Sequence, residues 1–345
     1  MTPSDQLSER ELRVLEAVVQ TYIETAEPAG SQTIARRFGL GVSPATIRSA
    51  MSELEEKGYL FHPHTSAGRV PTDRAYRLYV DGIIRLAPPS AEAANTLRSE
   101  VQGARSTLVE ILHRAAQVLG VLTQELGVAV APAFDELVLE RLELIPVATD
   151  RLLLVFNLRG GVVRTIFVQV PSNLPAESVQ RVAQVLNERL GGLTLHEIRQ
   201  TLAERLRDAH SVPVGRDLLN IFIAERDDIF DLAGEATTVV LGSAQMLADQ
   251  PEFASNLGMR GLLELTERRD LLRRALEARR EAGLSITIGS ENLDPRLNNF
   301  TLVTSSYHAG DLRGVIGVMG PTRMPYEKII GLVEHTSRLV EDLLE

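Results

Sequence analysis

Residues 31–48, SQTIARRFGLGVSPATIR, restrict this chain more than any other stretch. Ser31 can cap a short helix over 32–38, which Gly39 ends. Gly39-Leu40-Gly41-Val42 makes a tight turn, and Ser43 caps a second helix with Pro44 at its first position, where a missing N–H costs nothing. Ile34, Phe38, Val42, Ile47, Met51 and Leu54 fall on the inward sides and hold the two helices together. Ala45, Thr46, Arg48, Ser49 and Ser52 are left facing outward. The pattern predicts a helix-turn-helix, whose second helix can put its capped N-terminus into the major groove of DNA. Arg48 suits a guanine edge, and the hydroxyls suit bases or phosphates. The candidate contacts are therefore Ser43, Pro44, Ala45, Thr46, Arg48, Ser49 and Ser52, joined by Ser31, Gln32 and Thr33 at the start of the first helix. A plain helical hairpin would give the same pattern, so the flanking segments decide its weight.

Upstream, Ser8 and Glu11 form a capping box, with Leu7 and Leu12 as its hydrophobic staple. Leu12, Leu15, Val19 and Tyr22 then give one apolar helical face, broken at 26–30. Downstream, Gly58 ends the third helix as a left-handed cap. Residues 59–71 are short, extended and turn-rich, with Leu60 and Phe61 leading out and Arg69-Val70 leading back. This reads as a wing. Its small polar tip, with His64, Thr65, Ser66 and Arg69 as candidate contacts, can lie on the DNA backbone or in the minor groove. His62 and His64 lack a third ligand nearby, so no metal is assigned. Thr72 opens a fourth helix carrying Tyr76, Tyr79, Val80 and Ile83.

Charge sharpens this reading only when it is counted by segment. The whole chain carries 36 basic and 46 acidic residues, a net charge of −10, which disfavours a nucleic-acid partner. Residues 36–85, however, hold eight basic residues against five acidic ones. Only Lys57 and Lys328 are lysines. The other cations are arginines, the better forks for phosphate and guanine. There is no cysteine, which excludes disulfides, thiolate nucleophiles and cysteine-based zinc sites. No run of about 18 apolar residues occurs, and no signal-type segment opens the chain, so a cytoplasmic protein is expected.

The 345 residues suggest two or three domains. Ala87-Pro88-Pro89-Ser90 reads as a linker. Residues 91–126 read as one long helix, with Leu97, Val101, Ala104, Leu108, Ile111, Ala115, Val118 and Leu122 as a heptad seam. That seam packs either on the chain's own sheet or between subunits. Strands are expected over 137–146, 151–158 and 162–170, the last two joined at Gly160-Gly161. Helices follow over 176–190, 195–208, 218–227 and 257–281, with a short extended piece at 237–241. Strands over 285–289, 301–307 and 313–320 and a helix from Tyr326 close the chain. A multidomain α+β protein results, in which two sets of strands form one domain interrupted by a mostly helical insertion.

Enzyme motifs are missing: no Gly-x-Ser-x-Gly, no Walker A, no His-Glu-x-x-His. Ser306, His308 and Asp311 are neighbours on one turn, which rarely meets triad geometry. Gly314, Gly317 and Gly320 read as close-packing positions in a strand.

Ser43-Pro44-Ala45-Thr46-Ile47-Arg48, Leu54-Glu55-Glu56-Lys57-Gly58, His64 to Thr72 and Tyr76-Arg77-Leu78-Tyr79-Val80 together resemble the HrcA family of heat-inducible transcription repressors. Residues 312–326 are similar to the end of a GAF domain. The resemblance implies a winged helix over 1–86, a linker over 87–96, a GAF-like domain over 97–174 and 281–345, and an inserted dimerisation domain over 175–280. It implies a homodimer on double-stranded DNA carrying an inverted repeat upstream of chaperone operons, with the GroE chaperonin as modulator, and no cofactor. Two other readings stay open: a small-molecule-responsive regulator with a GAF-like ligand pocket, and a scaffold that never meets DNA.

Overall fold

The computed structural model describes residues 7–64, 67–83, 89–102, 108–132, 137–159, 162–172, 174–207, 215–230, 239–309 and 312–344. The first helix, α1 (Glu9–Thr25), starts where its cap dictates. Ser8 Oγ accepts from Glu11 N, and the Glu11 carboxylate accepts in return from Ser8 N at 2.7 Å. It ends at Ala26, which is in the left-handed region at φ 54°. Then come α2 (Ser31–Phe38), α3 (Pro44–Glu56), β1 (Leu60–Phe61), β2 (Val70–Pro71) and α4 (Asp73–Ile83). Ile34, Ile47, Met51, Leu54, Tyr59 and Tyr76 are buried between these elements. Each large apolar side chain removed from water there contributes about 1.5–3 kcal/mol.

Next come α5 (Ala91–Gln102), α6 (Leu108–Thr123) and β3 (Leu126–Val130). The single helix expected over 91–126 is two helices folded back on one another, and Arg114 of α6 pairs with Glu100 of α5. Ala91 already begins α5, so the expected linker is shorter than 87–96. Ala87, Pro88 and the seam residue Ala104 lie outside the described residues. A heptad count cannot tell one helix from two that return across a short break. The rest of the seam packs within the chain: Leu97, Val101, Ala115 and Val118 are buried, and α6 lies on β3.

A meander follows: β4 (Leu139–Ala148), β5 (Arg151–Leu158) and β6 (Val162–Gln169), antiparallel in that order. Its expected turn, Gly160-Gly161, lies outside the described residues. The helices α7 (Ala176–Leu190), α8 (Leu195–Arg205), α9 (Arg216–Ala224) and α10 (Arg226–Phe230) cover one face of it. Leu139, Leu154, Phe156, Val182, Leu186, Ile198, Phe222 and Phe230 share that core.

The chain then forms β7 (Val239–Leu241), α11 (Gln245–Ala248), α12 (Asn256–Glu267), α13 (Arg269–Glu277), β8 (Leu284–Ile288), β9 (Phe300–Ala309), β10 (Leu312–Pro321) and α14 (Tyr326–Leu344). The helix expected over 257–281 is broken at Arg268, whose backbone (φ −90°, ψ 68°) leaves the helical region. Five strands make one antiparallel sheet in the order β7-β3-β10-β9-β8. The helices α6 and α14 cover one face, and α13 with its neighbours covers the other. Glycines permit the closest approaches. A Cβ on Gly127 would overlap the carbonyl oxygen of Ala116, one on Gly314 the Tyr307 ring, and one on Gly320 the Glu125 carboxylate.

This pairing corrects the expected domain grouping. The meander was expected to join the closing strands in one domain, with 175–280 inserted. Instead, among the described residues, β4–β6 form a sheet of their own and share a core with α7–α10, while β7 belongs to the five-stranded sheet and α13 packs on it. β3, whose residues carry no alternating pattern, takes beside β10 the place expected of the meander.

Candidate nucleic-acid interface

The Ser43 cap is made as its sequence predicts: its Oγ accepts from Thr46 N at 3.2 Å and lies 2.9 Å from Thr46 Oγ1. Gly39 and Gly41, at φ 54° and 70°, supply the left-handed residues the turn requires. Ile47, Ala50, Met51 and Leu54 face inward and are buried. Ser43, Pro44, Ala45, Arg48 and Ser49 are exposed, and Thr46 and Ser52 are half-buried. One end of α3 therefore presents a capped N-terminus, small side chains and an arginine. The N–H groups there carry partial positive charge, which suits phosphate. Arg48 enters none of the ion pairs among the described residues. Ser49 donates to Glu53 at 3.2 Å.

Gln32 and Thr33 are exposed on α2. Ser31 differs from expectation twice. Gly30 is the N-cap and Ser31 the first helical residue, and Ser31 is buried, so it offers no open contact. Arg36, on the last turn of α2, is exposed beside this surface. Arg37 lies 5.5 Å over the Phe38 ring and pairs with Glu24 of α1.

After α3, β1 and β2 pair as Leu60↔Pro71 and Phe61↔Val70. His64 is exposed between them, and Thr65 and Ser66 lie outside the described residues. Arg69 is not a free arginine. Its Nη2 lies 2.8 Å from Glu55 Oε2, its side chain is only 19% exposed, and its backbone exchanges two hydrogen bonds with Ala29. Glu55 also takes His62, so the last turn of α3 grips both arms of the hairpin. Gly68 completes the anchor, since a Cβ there would lie 2.5 Å from the Ala29 carbonyl and from the Pro28 oxygen.

Further contacts fix how these helices sit on the body. Arg77 of α4 binds Glu291 through Nε at 2.8 Å and donates to the Ile286 carbonyl at 2.7 Å. Burial pushes the Glu291 carboxyl up, but the Arg77 hydrogen bond, the bond from Ile288 N and the Arg77 charge together outweigh it and hold the group below its ordinary range. Asp73 accepts from Ser290 N and Oγ, both at 2.9 Å. The left-handed Gly289 (φ 52°) gives Asp73 the room to do so. Arg323 donates to the Ile23 carbonyl at 2.9 Å and binds Glu252. Tyr76 packs on Tyr326 at 5.9 Å between ring centres. A single sequence could not indicate these pairs, because partners such as Arg77 and Glu291 lie more than 200 positions apart.

The other flagged groups are structural. His308 Nδ1 lies 3.3 Å from Glu341, Ser306 N donates to Gly283 O, and Asp311 lies outside the described residues. No helix among the described residues is long and apolar enough to cross a membrane.

A family model described as the HrcA protein C-terminal domain matches residues 109–330. The heat-inducible transcription repressor HrcA of Chlorobium phaeobacteroides (strain BS1) is 36% identical over 340 residues, covering 95% of this chain and 96% of its own. Its counterpart in Geobacter sulfurreducens is 34% identical over 353 residues, covering 98% of each chain. A crystal structure described only as that of a hypothetical protein shares the fold, with a TM-score of 0.67 and 24% identity over 98% of this chain and 99% of that one. With the similarity running through the body and through the helices that carry Arg48, the chain belongs to the HrcA family of heat-inducible transcription repressors.

Proposed function

We propose that this chain represses chaperone operons by binding an inverted-repeat operator as a homodimer and is released on heat stress. The observation that carries the reading is the exposed, Ser43-capped start of α3 with Arg48 beside it. In this reading residues 7–83 are a winged helix-turn-helix, α3 enters the major groove, and the hairpin holding His64, Thr65 and Ser66 lies along the backbone. Arg69 acts through Glu55 to set the hairpin on α3. Gln32, Thr33 and Arg36 reach flanking phosphates. The five-stranded sheet and its helices, roughly 91–132 and 239–344, are the GAF-like domain, and the meander with α7–α10 is the insertion. Repression would take place in the cytoplasm, with GroE modulating the active fold as the family resemblance implies.

The dimer reading rests on the bare face of the meander. Ile145, Val147, Val163 and Phe167 are 41%, 48%, 57% and 63% exposed. An open apolar patch on a sheet face marks a protein contact, and a two-fold operator calls for a second copy of the same chain.

Fluorescence anisotropy with an inverted-repeat duplex from a chaperonin promoter tests the assignment. Arg48→Ala should cost about 1–3 kcal/mol per half-site and relax base preference at one position of each. Unchanged affinity with unchanged preference would remove α3 from the groove.

A further inference from the structure

A cavity of about 480 Å³ opens between α13, β8 and residues 289–297, far in sequence from α3. That volume is in the range of small-molecule sites, about 300–1,000 Å³. Leu271 and Leu297, both buried, give it an apolar floor. Arg279 lines it and is itself only 9% exposed. Its guanidinium donates to the Ala275 carbonyl, to Thr287 Oγ1 at 2.6 Å and to Asn292 Oδ1 at 3.4 Å. Its Nε is buried without a partner.

These acceptors hold the guanidinium in place. None of them is a carboxylate, so they leave its charge uncompensated. Burying such a charge is costly unless an anion completes it. The acids on the cavity wall are mostly taken: Asp294 by Arg296, and Glu291 by Arg77. Asp270 and Arg274 also line the cavity and carry opposite charges. One N–H of Nη1 stays outside these three bonds, and a carboxylate oxygen accepting from it would supply the missing negative charge.

We propose that this cavity binds a small monocarboxylic acid, its carboxylate on Arg279 and its apolar body on Leu271 and Leu297. The site shares a wall with the contact that seats α4. Glu291 lines the cavity and binds Arg77, and Asn292 Nδ2, beside it, holds the carbonyls of Gly289, Leu297 and Phe300. An occupant therefore bears on the segment that orients the DNA-binding helices. This coupling rests on the repressor reading; the binding itself does not.

Isothermal titration calorimetry of the full chain, with benzoate, hexanoate, benzamide and inorganic phosphate as probes, tests the site. At least one carboxylate should bind saturably, and benzamide and phosphate at least about tenfold more weakly. Arg279→Gln should abolish that preference. Should this variant not fold, Ala278→Trp at the exposed rim leaves every Arg279 bond intact and should block entry. No saturable binding of either carboxylate at millimolar concentration overturns the proposal, as does equal binding of benzamide. So does undiminished binding in the variants. In an operator gel shift, the bound carboxylate should change affinity in the parent chain but not in Ala278→Trp. Carboxylate binding with unchanged operator affinity overturns the coupling. Failure to bind operator with no carboxylate present counts against the repressor reading and leaves the cavity result standing.

Discussion

The two sheets of this protein are built on opposite plans. The five-stranded sheet is covered on both faces, and its β3 is buried at every position from Leu126 to Val130. The three-stranded meander is covered on one face. Along β5 the burial alternates, with Leu152, Leu154, Phe156 and Leu158 buried and Arg151, Leu153, Val155 and Asn157 less so. A strand with one wet face keeps the period of two, whereas a strand packed on both faces loses it. The meander also keeps apolar residues on its open face. That face is thus available for assembly, whereas the five-stranded sheet has its faces committed to the chain's own helices.

The first way to break this comparison is to thicken the closed sheet. Gly127→Val forces a side chain into the α6 backbone at Ala116 and should destabilise by more than about 4 kcal/mol, read as loss of soluble protein or of a cooperative unfolding transition. A stable variant would mean that α6 does not press on β3.

A pH test asks how dry the closed sheet's end is. Glu125, just before β3, is 2% exposed, and burial pushes its carboxyl up to about 8 against the hydrogen bond from Gln250. The folded state therefore favours the protonated form. This contribution to stability is fully present below about pH 4.5 and is lost as pH rises through 8. Glu125→Gln should remove that slope, gaining about 3 kcal/mol relative to the parent between pH 5 and pH 8. Parallel melting curves at the two pH values would place the group in water instead.

On the open sheet the expected effect is on assembly, not on folding. Phe167→Asp should leave the unfolding midpoint nearly unchanged, because its side chain already faces water. It should weaken the proposed dimer by about 2 kcal/mol or more in sedimentation. A variant that stays dimeric moves the interface elsewhere, and one that unfolds shows that Phe167 serves its own core.

The helix signals were legible where their causes are local. The Ser8–Glu11 and Ser43–Thr46 caps, the Gly39 and Gly58 ends and the span of α7 (Ala176–Leu190) needed only neighbours within a few positions. β3 was not legible, because Leu126-Gly-Val-Ala-Val has no alternation to read. The break between α5 and α6 was hidden by a seam whose spacing continues across it. At the candidate interface, the exposed face of α3 followed from helical periodicity and the capped start. The burial of Ser31 and the pairing of Arg69 with Glu55 did not, since both depend on what packs against them.

The sequence by itself determined the turn-linked helices with their outward Arg48, the meander strands and the absence of cysteine chemistry. These rest on short-range caps, turn glycines and period-two patterning, which act before the chain has closed on itself. Tertiary structure alone decided which strands share a sheet, and it seated α4 on Ser290 and Glu291. It also buried Arg279 beside a cavity. Each of those outcomes depends on partners brought together from distant parts of the chain, and their energies exist only once water has been excluded between them.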